Sequence, residues 1–234
     1  MTTRQRRWLW GPLLLAAALA RGGEAEQGKV EFPNLRLDLK AKTIEIDGVF
    51  CNGQYHLELL LCRGTLRDYE ALVSTSCKPS VLHAALLAIG LKPRVRDKEE
   101  PTKTVREGDG VDILIRYEKD GKPVTVPATA LMAEAVPVKG QENPTLRPVQ
   151  SAPFVFTGSL LYPDHKDKSR MLYLGDVEEW LVGCLGDLPS VVDIEDGKTW
   201  KYGSLEINRK AAPPKGTKAT VIFRPRPKEK DAAK

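Results

Sequence analysis

The chain has 234 residues and a formal net charge of +5 at pH 7, but much of that charge lies at the amino terminus. Residues 1–25 contain four arginines and one glutamate, so the rest of the chain is close to neutral. This distribution removes the main compositional argument for nucleic-acid binding, and we predict no nucleic-acid partner.

The amino terminus has the pattern of a secretory signal peptide. Three arginines precede a largely apolar run at residues 8–20, and a small-x-small cleavage site follows at residues 23–25. The apolar run is shorter than the roughly 20 residues that a membrane-spanning helix requires. We therefore predict that residues 1–25 are cleaved, that the protein is periplasmic or extracellular, and that no stable membrane span remains.

Two alternating apolar segments flank Asn52-Gly53, at residues 44–51 and 54–62. Asn-Gly is strongly favoured in two-residue type I′ turns, so the pattern predicts a β-hairpin. A two-residue turn fixes the register and places Asp47 opposite Glu58. The apolar face of this hairpin is predicted to belong to the core.

A third strand is predicted at residues 69–75, followed by a short helix. Pro79 is a favourable first helical residue, and Gly90 is a favourable residue just after a helix. Leu82, Ala85 and Leu86 fall on one stripe, which we expect to pack on the sheet because a helix of about three turns is marginal alone.

The stretch YHLELLLCRGTLRDYEALVSTSCKPSVLHAALLAIGLKP, residues 55–93, resembles the YdjY-domain family of exported bacterial proteins. The predicted fold class is α+β and β-rich: an antiparallel sheet with one packed helix, plus a smaller β-rich carboxy-terminal extension. We predict a signal peptide at 1–25, a YdjY-like domain at 26–136, a Pro-rich linker or surface excursion at 137–153, a β-rich extension at 154–223 and a disordered basic tail at 224–234.

A candidate metal site follows from the hairpin register. Asp47, His56 and Glu58 share the face opposite the core, and two opposed carboxylates repel each other. A divalent cation bound by these three residues would relieve that repulsion. The alternative is a solvated face, or one neutralised by Arg63, Arg67 or protonated His56.

The four cysteines are Cys51, Cys62, Cys77 and Cys184. An even number in an exported chain favours disulfides, while burial as reduced thiols is the alternative for Cys62 and Cys184. The hairpin register would hold Cys51 and Cys62 about 26 Å apart, at about 3.3 Å per residue. A disulfide needs Cα atoms within about 7 Å, so we predict that these two cysteines are not joined.

A thiol enzyme is a further alternative. Cys77 precedes the predicted helix, where the helix amino terminus would lower its pKa, and His83 lies inside the same helix. More than one helical turn separates the two residues, which disfavours a Cys-His pair.

These patterns favour a non-catalytic binding or scaffolding module of the bacterial envelope, without a cofactor and not an enzyme. Its partner would be an envelope protein or ligand that the sequence does not identify. The alternative is a metal-binding or redox protein that uses the Asp47, His56 and Glu58 face together with cysteine thiols.

Overall fold

The computed structural model describes residues 28–53, 56–140, 142–186, 189–195, 200 and 202–227. The predicted signal peptide lies outside these residues, as do residues 228–234 of the predicted tail. Among the helices in the described ranges, none has the length and apolar character needed to cross a membrane.

The first half of the chain is built mainly from strands. They are β1 (Lys29–Phe32), β2 (Leu35–Asp38), β3 (Thr43–Phe50), β4 (Leu59–Arg63), β5 (Ala71–Thr75), β6 (Val95–Arg96), β7 (Thr104–Arg106), β8 (Val111–Lys119), β9 (Lys122–Pro127) and β10 (Met132–Val136). Helix α1 (Pro79–Ala88) follows β5, and short 3-10 helices lie at Asp68–Glu70 and Ala128–Leu131.

The second half is also rich in strands. They are β11 (Thr145–Pro148), β12 (Phe154–Phe156), β13 (Leu161–Pro163), β14 (Met171–Tyr173), β15 (Trp180–Gly183), β16 (Val192–Ile194), β17 (Leu205–Ile207) and β18 (Lys218–Pro225). One further helix, α2 (Leu174–Glu178), precedes β15. The fold is therefore a β-rich α+β fold, as predicted.

Eleven strands form the main sheet, in the order β12-β16-β15-β4-β5-β3-β18-β8-β9, with β2 also paired to β3 and β1 to β2. The last strand, β18, lies inside the sheet, third from the β9 edge: Val221 pairs with Ile46 of β3 on one side and with Ile115 of β8 on the other. All three side chains are fully buried. Alternation of apolar and polar residues along β3, β8 and β18 gives this part of the sheet one core face and one more solvated outer face, whereas β4, β5 and β15 are buried almost throughout.

The predicted α1 is confirmed. It begins at Pro79, and its buried residues Leu82, Ala85 and Leu86 lie on the stripe expected from the sequence. After the helix ends, Gly90 adopts a φ of +92° and Leu91 N–H donates to Leu86 O at 3.1 Å. This left-handed residue is the usual way to satisfy the last carbonyls of a helix.

The predicted Asn52-Gly53 hairpin is wrong. Strand β3 pairs with β2, β5 and β18, whereas β4 pairs in parallel with β5 and antiparallel with β15. Asn52 has a φ of +46°, but Gly53 is not in the left-handed region that a type I′ turn also requires. Instead, Cys51 and Gly53 donate backbone hydrogen bonds to Leu72 and Ala71, so the chain continues along β5.

Gly53 is needed for a different reason. A Cβ atom at this position would lie 2.7 Å from the carbonyl carbon of Tyr69, so the backbone of the next segment approaches too closely for any side chain. At Asn52-Gly53 the backbone thus passes close to the backbone of a later segment, and the pair does not form a hairpin turn.

The predicted boundary at residues 137–153 does not separate two sheets. This stretch contains β11, which pairs with β10 on its amino-terminal side, and β10 pairs in turn with β17. Strands β12, β15, β16 and β18 from beyond the boundary lie in the main sheet beside β3, β4, β5 and β8. The two predicted regions therefore share one sheet.

Candidate functional site

Asp47, the first predicted metal ligand, lies on the outer face of β3 and is held by an arginine. Its carboxylate accepts a hydrogen bond from Arg36 Nη2 at 2.7 Å and another from the Thr220 hydroxyl at 3.3 Å. The hydrogen bond from Arg36 holds the pKa of the Asp47 carboxyl below its usual value. A neighbouring arginine therefore neutralises Asp47, but it is Arg36 and not Arg63 or Arg67, which pair with Glu179 and Glu70.

The structure does not bring Asp47 and Glu58 together. Val49 of β3 and Cys62 of β4 both lie opposite Ser74 of β5, which sets the relative register of the three strands. Along the direction of β5, Asp47 lies two residues beyond the level of Ser74 and Glu58 lies four residues before it. The two carboxylates are therefore six residues apart along the strand direction. At about 3.3 Å per residue they are roughly 20 Å apart, with β5 between their strands. The opposition of carboxylates that motivated the metal site is therefore not formed.

His56 has another carboxylate as its partner. Its Nδ1 atom lies 2.7 Å from Glu206 Oε1, and the Tyr202 ring packs edge-on at 6.5 Å between centroids. Glu58 acts instead on Tyr202, whose hydroxyl pKa is raised by the nearby Glu58 charge. Within the described ranges, no three His, Cys, Asp or Glu side chains are grouped closely enough to hold a metal ion.

We predict that Asp47→Asn lowers the free energy of unfolding by about 0.5–1 kcal/mol, because it removes an ion pair to Arg36 between half-exposed side chains. Urea unfolding of wild type and variant, with and without EDTA, measures this effect. The difference should be the same in both conditions, since the ion pair needs no metal. EDTA sensitivity in the wild type that disappears in Asp47→Asn would support the metal alternative.

A groove of about 780 Å³ lies on the outer face of the main sheet. It forms because β2 and β5 pair with the same edge of β3 at different levels and leave a gap near Asp47 and Gly48. A Cβ on Gly48 would lie 2.6 Å from Ser74 O, so glycine permits the close approach of β5 there. The local sequence pattern does not reveal this groove, because the groove requires the pairing of β3 with two different strands on one edge.

The walls of this outer-face groove are rich in hydroxyl groups and balanced in charge. The hydroxyls belong to Thr65, Ser74, Thr75, Ser76 and Thr220. Thr75 donates to the Asp47 carbonyl at 2.6 Å and Thr220 to the Asp47 carboxylate, which leaves the hydroxyls of Thr65, Ser74 and Ser76 for a ligand. Asp47 and Arg116 are each paired with another side chain, Asp47 with Arg36 and Arg116 with Glu45 at 2.8 Å. Exposed Lys218 and Glu118 add one charge of each sign. The groove thus presents hydroxyl groups beside an apolar wall that includes Val49, Tyr117 and Pro123, with no excess of either charge.

His83, a residue of α1, belongs to a second polar cluster on the side of the helix that faces Gly158 and Tyr173. Its Nδ1 lies 3.0 Å from Gly158 O and 2.8 Å from the Tyr173 hydroxyl, and its ring packs edge-on against Phe156. Because Gly158 O only accepts, Nδ1 carries the proton in this arrangement. Burial lowers the pKa of His83, so the imidazole is neutral in the folded protein near pH 7.

Cys77 does not form the Cys-His pair weighed in the sequence analysis. Its backbone N–H donates to the Thr75 hydroxyl and its thiol contacts the Lys78 carbonyl, while His83 is engaged with Gly158 and Tyr173. Burial raises the pKa of the Cys77 thiol to about 12. The predicted lowering of this pKa by the helix amino terminus is therefore outweighed by desolvation.

We predict that His83 makes folding sensitive to mild acid. Below its ordinary pKa of 6.5 the unfolded chain binds a proton that the buried imidazole does not, so the unfolded state is favoured as pH falls from about 7 to about 5. His83→Asn retains an amide donor but does not titrate. Urea unfolding across this pH range should show wild type losing up to about 1.4 kcal/mol per pH unit relative to the variant. Parallel curves would contradict the assignment.

A family model described as the YdjY domain matches residues 35–224, from the start of β2 to the last strand of the main sheet. No curated protein and no solved structure gives a match to the chain. The matched range includes the groove apart from Asn34, the His83 cluster, and residues 154–223, which were predicted as a β-rich extension.

Proposed function

The chain belongs to the YdjY-domain family, and we propose that this member is a non-catalytic binding module of the bacterial envelope. The binding site in this proposal is the outer-face groove. Its volume of about 780 Å³ is in the range of pockets that enclose small ligands or a short stretch of a larger one.

The observation that carries this proposal is the composition of the groove. Hydroxyl groups donate and accept hydrogen bonds without carrying charge, so they recognise amide and hydroxyl groups of a ligand. The charged residues of the groove balance one another, and Asp47 and Arg116 already have partners. These features favour a neutral, polar ligand over an anion such as a phosphate or a nucleic acid.

The scaffold supports binding because the walls of the groove are strands. Thr220 lies on β18 inside the main sheet, paired with Asp47 on one side and Arg116 on the other. Side chains on an interior strand keep a fixed spacing, so the groove is largely formed before a ligand arrives. Ser76 and Thr65 are exposed at its rim and accessible to a ligand.

The proposal is tested by NMR titration of the isotope-labelled protein with a defined panel of short neutral peptides and soluble oligosaccharides. We expect at least one class to shift the amide resonances of Gly48, Thr65 and Ser76. Ser76→Trp, which places a bulky ring at the rim, should abolish those shifts. Thr102→Trp is the matched control, because Thr102 is exposed and lies outside the groove.

Two results would contradict the proposal. One is binding whose shifts map away from the groove and persist in Ser76→Trp. The other is an absence of shifts with every member of the panel at millimolar concentrations, in protein whose spectrum shows that it is folded.

A further inference from the structure

Cys51 and Cys62, which we name the thiol pair, lie close together across one strand. Cys51 directly follows β3, Cys62 is in β4, and β5 runs between these strands. Both cysteines belong to one small buried cluster with Leu59, Ala71 and Trp180. The structure therefore overturns the separation of about 26 Å that the predicted hairpin gave, since that hairpin is not formed.

The two thiols lie among backbone carbonyls and a small side chain. The strand between them contributes Ala71, whose small side chain leaves room above it, and the Cys51 thiol contacts the Ala71 carbonyl oxygen at 3.2 Å. The Cys62 thiol lies 4.0 Å from the Gly64 carbonyl oxygen, so each thiol contacts a backbone acceptor. The other two cysteines, Cys77 and Cys184, belong to the main core cluster instead.

The two members of the pair differ chemically. The side-chain interaction with the Cys62 thiol lowers the pKa of Cys51, and the same interaction raises the pKa of Cys62. Cys51 therefore ionises first, with Cys62 as its proton-bearing partner. A thiolate attacks disulfides far more readily than a thiol does, so Cys51 is the nucleophile of the pair.

We propose that Cys51 and Cys62 are a reversible dithiol–disulfide pair that exchanges two electrons with a small-molecule or protein disulfide. The Cys51 thiolate attacks one sulfur of the partner disulfide and releases the other as a thiol, which leaves a mixed disulfide. The Cys62 sulfur, after losing its proton, attacks Cys51 of that mixed disulfide and releases the second partner thiol. The protein loses two electrons and two protons, and one partner disulfide becomes two thiols.

The position of the pair in the sheet makes the bridge reversible. Two strand spacings of about 4.8 Å separate β3 from β4, whereas a relaxed disulfide holds its Cα atoms within about 7 Å. Cys51 must therefore move toward β4, and this movement breaks the hydrogen bond from its backbone N–H to Leu72 O at 3.0 Å. Strained disulfides are reduced more easily than structural ones, so the oxidised state should be readily reversible.

A lid formed by Trp180 and Arg67 limits access to the thiol pair. Cys51 and Cys62 are 4% and 0% exposed, the Arg67 guanidinium lies 5.5 Å from the Trp180 ring centroid, and Arg67 pairs with Glu70 at 2.9 Å. Exchange with a partner disulfide therefore requires local opening of this lid. We expect Arg67→Ala, which removes the cation from the ring, to accelerate oxidation of the pair several-fold.

The test uses the full chain with Cys77→Ala and Cys184→Ala, equilibrated in buffers of oxidised and reduced glutathione under native conditions. We expect a fraction of the protein to lose two hydrogen masses, and non-reducing peptide mapping to recover a peptide that links Cys51 to Cys62. Return to reducing buffer should restore the thiols without unfolding. Cys51→Ala in the same background is the control and should show no such loss.

Three results would overturn the proposal. One is protein that stays fully reduced in the most oxidising buffer while the urea-unfolded chain oxidises. Another is oxidation that gives only glutathione adducts or linked dimers. The third is a Cys51–Cys62 bridge that reducing buffer cannot open until the protein unfolds. If the variants fail to fold, peptide mapping of the wild-type chain distinguishes the same outcomes. None of these outcomes depends on ligand binding in the outer-face groove.

Discussion

Replacing Gly108 by alanine is expected to lower the free energy of unfolding by about 3 kcal/mol or more. A Cβ atom at this position would overlap the Phe156 carbonyl oxygen and lie 2.8 Å from the carbonyl carbon. That carbonyl oxygen also accepts the Arg94 backbone N–H at 2.8 Å, so it cannot move away without breaking a hydrogen bond. The obstacle is backbone on both sides, and a change of side-chain rotamer cannot relieve it.

Urea unfolding followed by tryptophan fluorescence measures this effect, and Gly140→Ala is the matched control. Gly140 has open space around it but a φ of +84°. Gly140→Ala should lower the free energy of unfolding by only about 1–2 kcal/mol, the cost of alanine in the left-handed region. Equal losses in the two variants would show that backbone crowding at Gly108 is not what destabilises the protein.

Arg94→Ala is expected to destabilise the protein by about 3–5 kcal/mol. The Arg94 side chain is fully buried and makes a two-point contact with Glu107, at 2.6 Å and 3.1 Å, and a third hydrogen bond to Ile194 O at 3.2 Å. Removing the guanidinium leaves the Glu107 carboxylate without this cation and creates a cavity. It also releases β16 from the segment that follows α1.

The matched control for this variant is Arg106→Ala, because Arg106 is an exposed arginine of the same segment. Its loss should change the unfolding free energy by about 0.5 kcal/mol or less. A loss for Arg94→Ala as small as that for Arg106→Ala would mean that the buried ion pair and its hydrogen bond to β16 contribute little to stability.

Local signals in the sequence located α1 correctly. Pro79 at the first helical position and the apolar stripe are short-range features, and their physical basis does not depend on the rest of the chain. The family resemblance of residues 55–93 agrees with the match over 35–224. The β-rich class follows from the number of short alternating segments, whichever strands pair.

Strand pairing could not be predicted in the same way. Asn52-Gly53 is a strong local signal for a hairpin, yet the pairing partner of β3 is decided by distant strands such as β18. The hairpin register places Asp47 beside Glu58 and holds Cys51 far from Cys62, and both of these placements are wrong, although Cys51 and Cys62 are free thiols as expected. The outer-face groove and the thiol pair share this dependence, because each contains residues from strands that are far apart in sequence.

The position of β18 inside the sheet has a consequence for the order of synthesis and folding. Asp47 and Thr220 are neighbours in the sheet but lie 173 residues apart along the chain. Until residues 218–225 have been made, β3 and β8 each have an unsatisfied edge, and apolar side chains such as Ile46 and Ile115 lack their partner strand. A nascent chain therefore cannot complete its core from the amino terminus onward. Closure of the sheet is therefore a late step that joins distant segments, and folding is slow. An aggregation-prone intermediate with exposed apolar side chains persists until β18 pairs with β3 and β8.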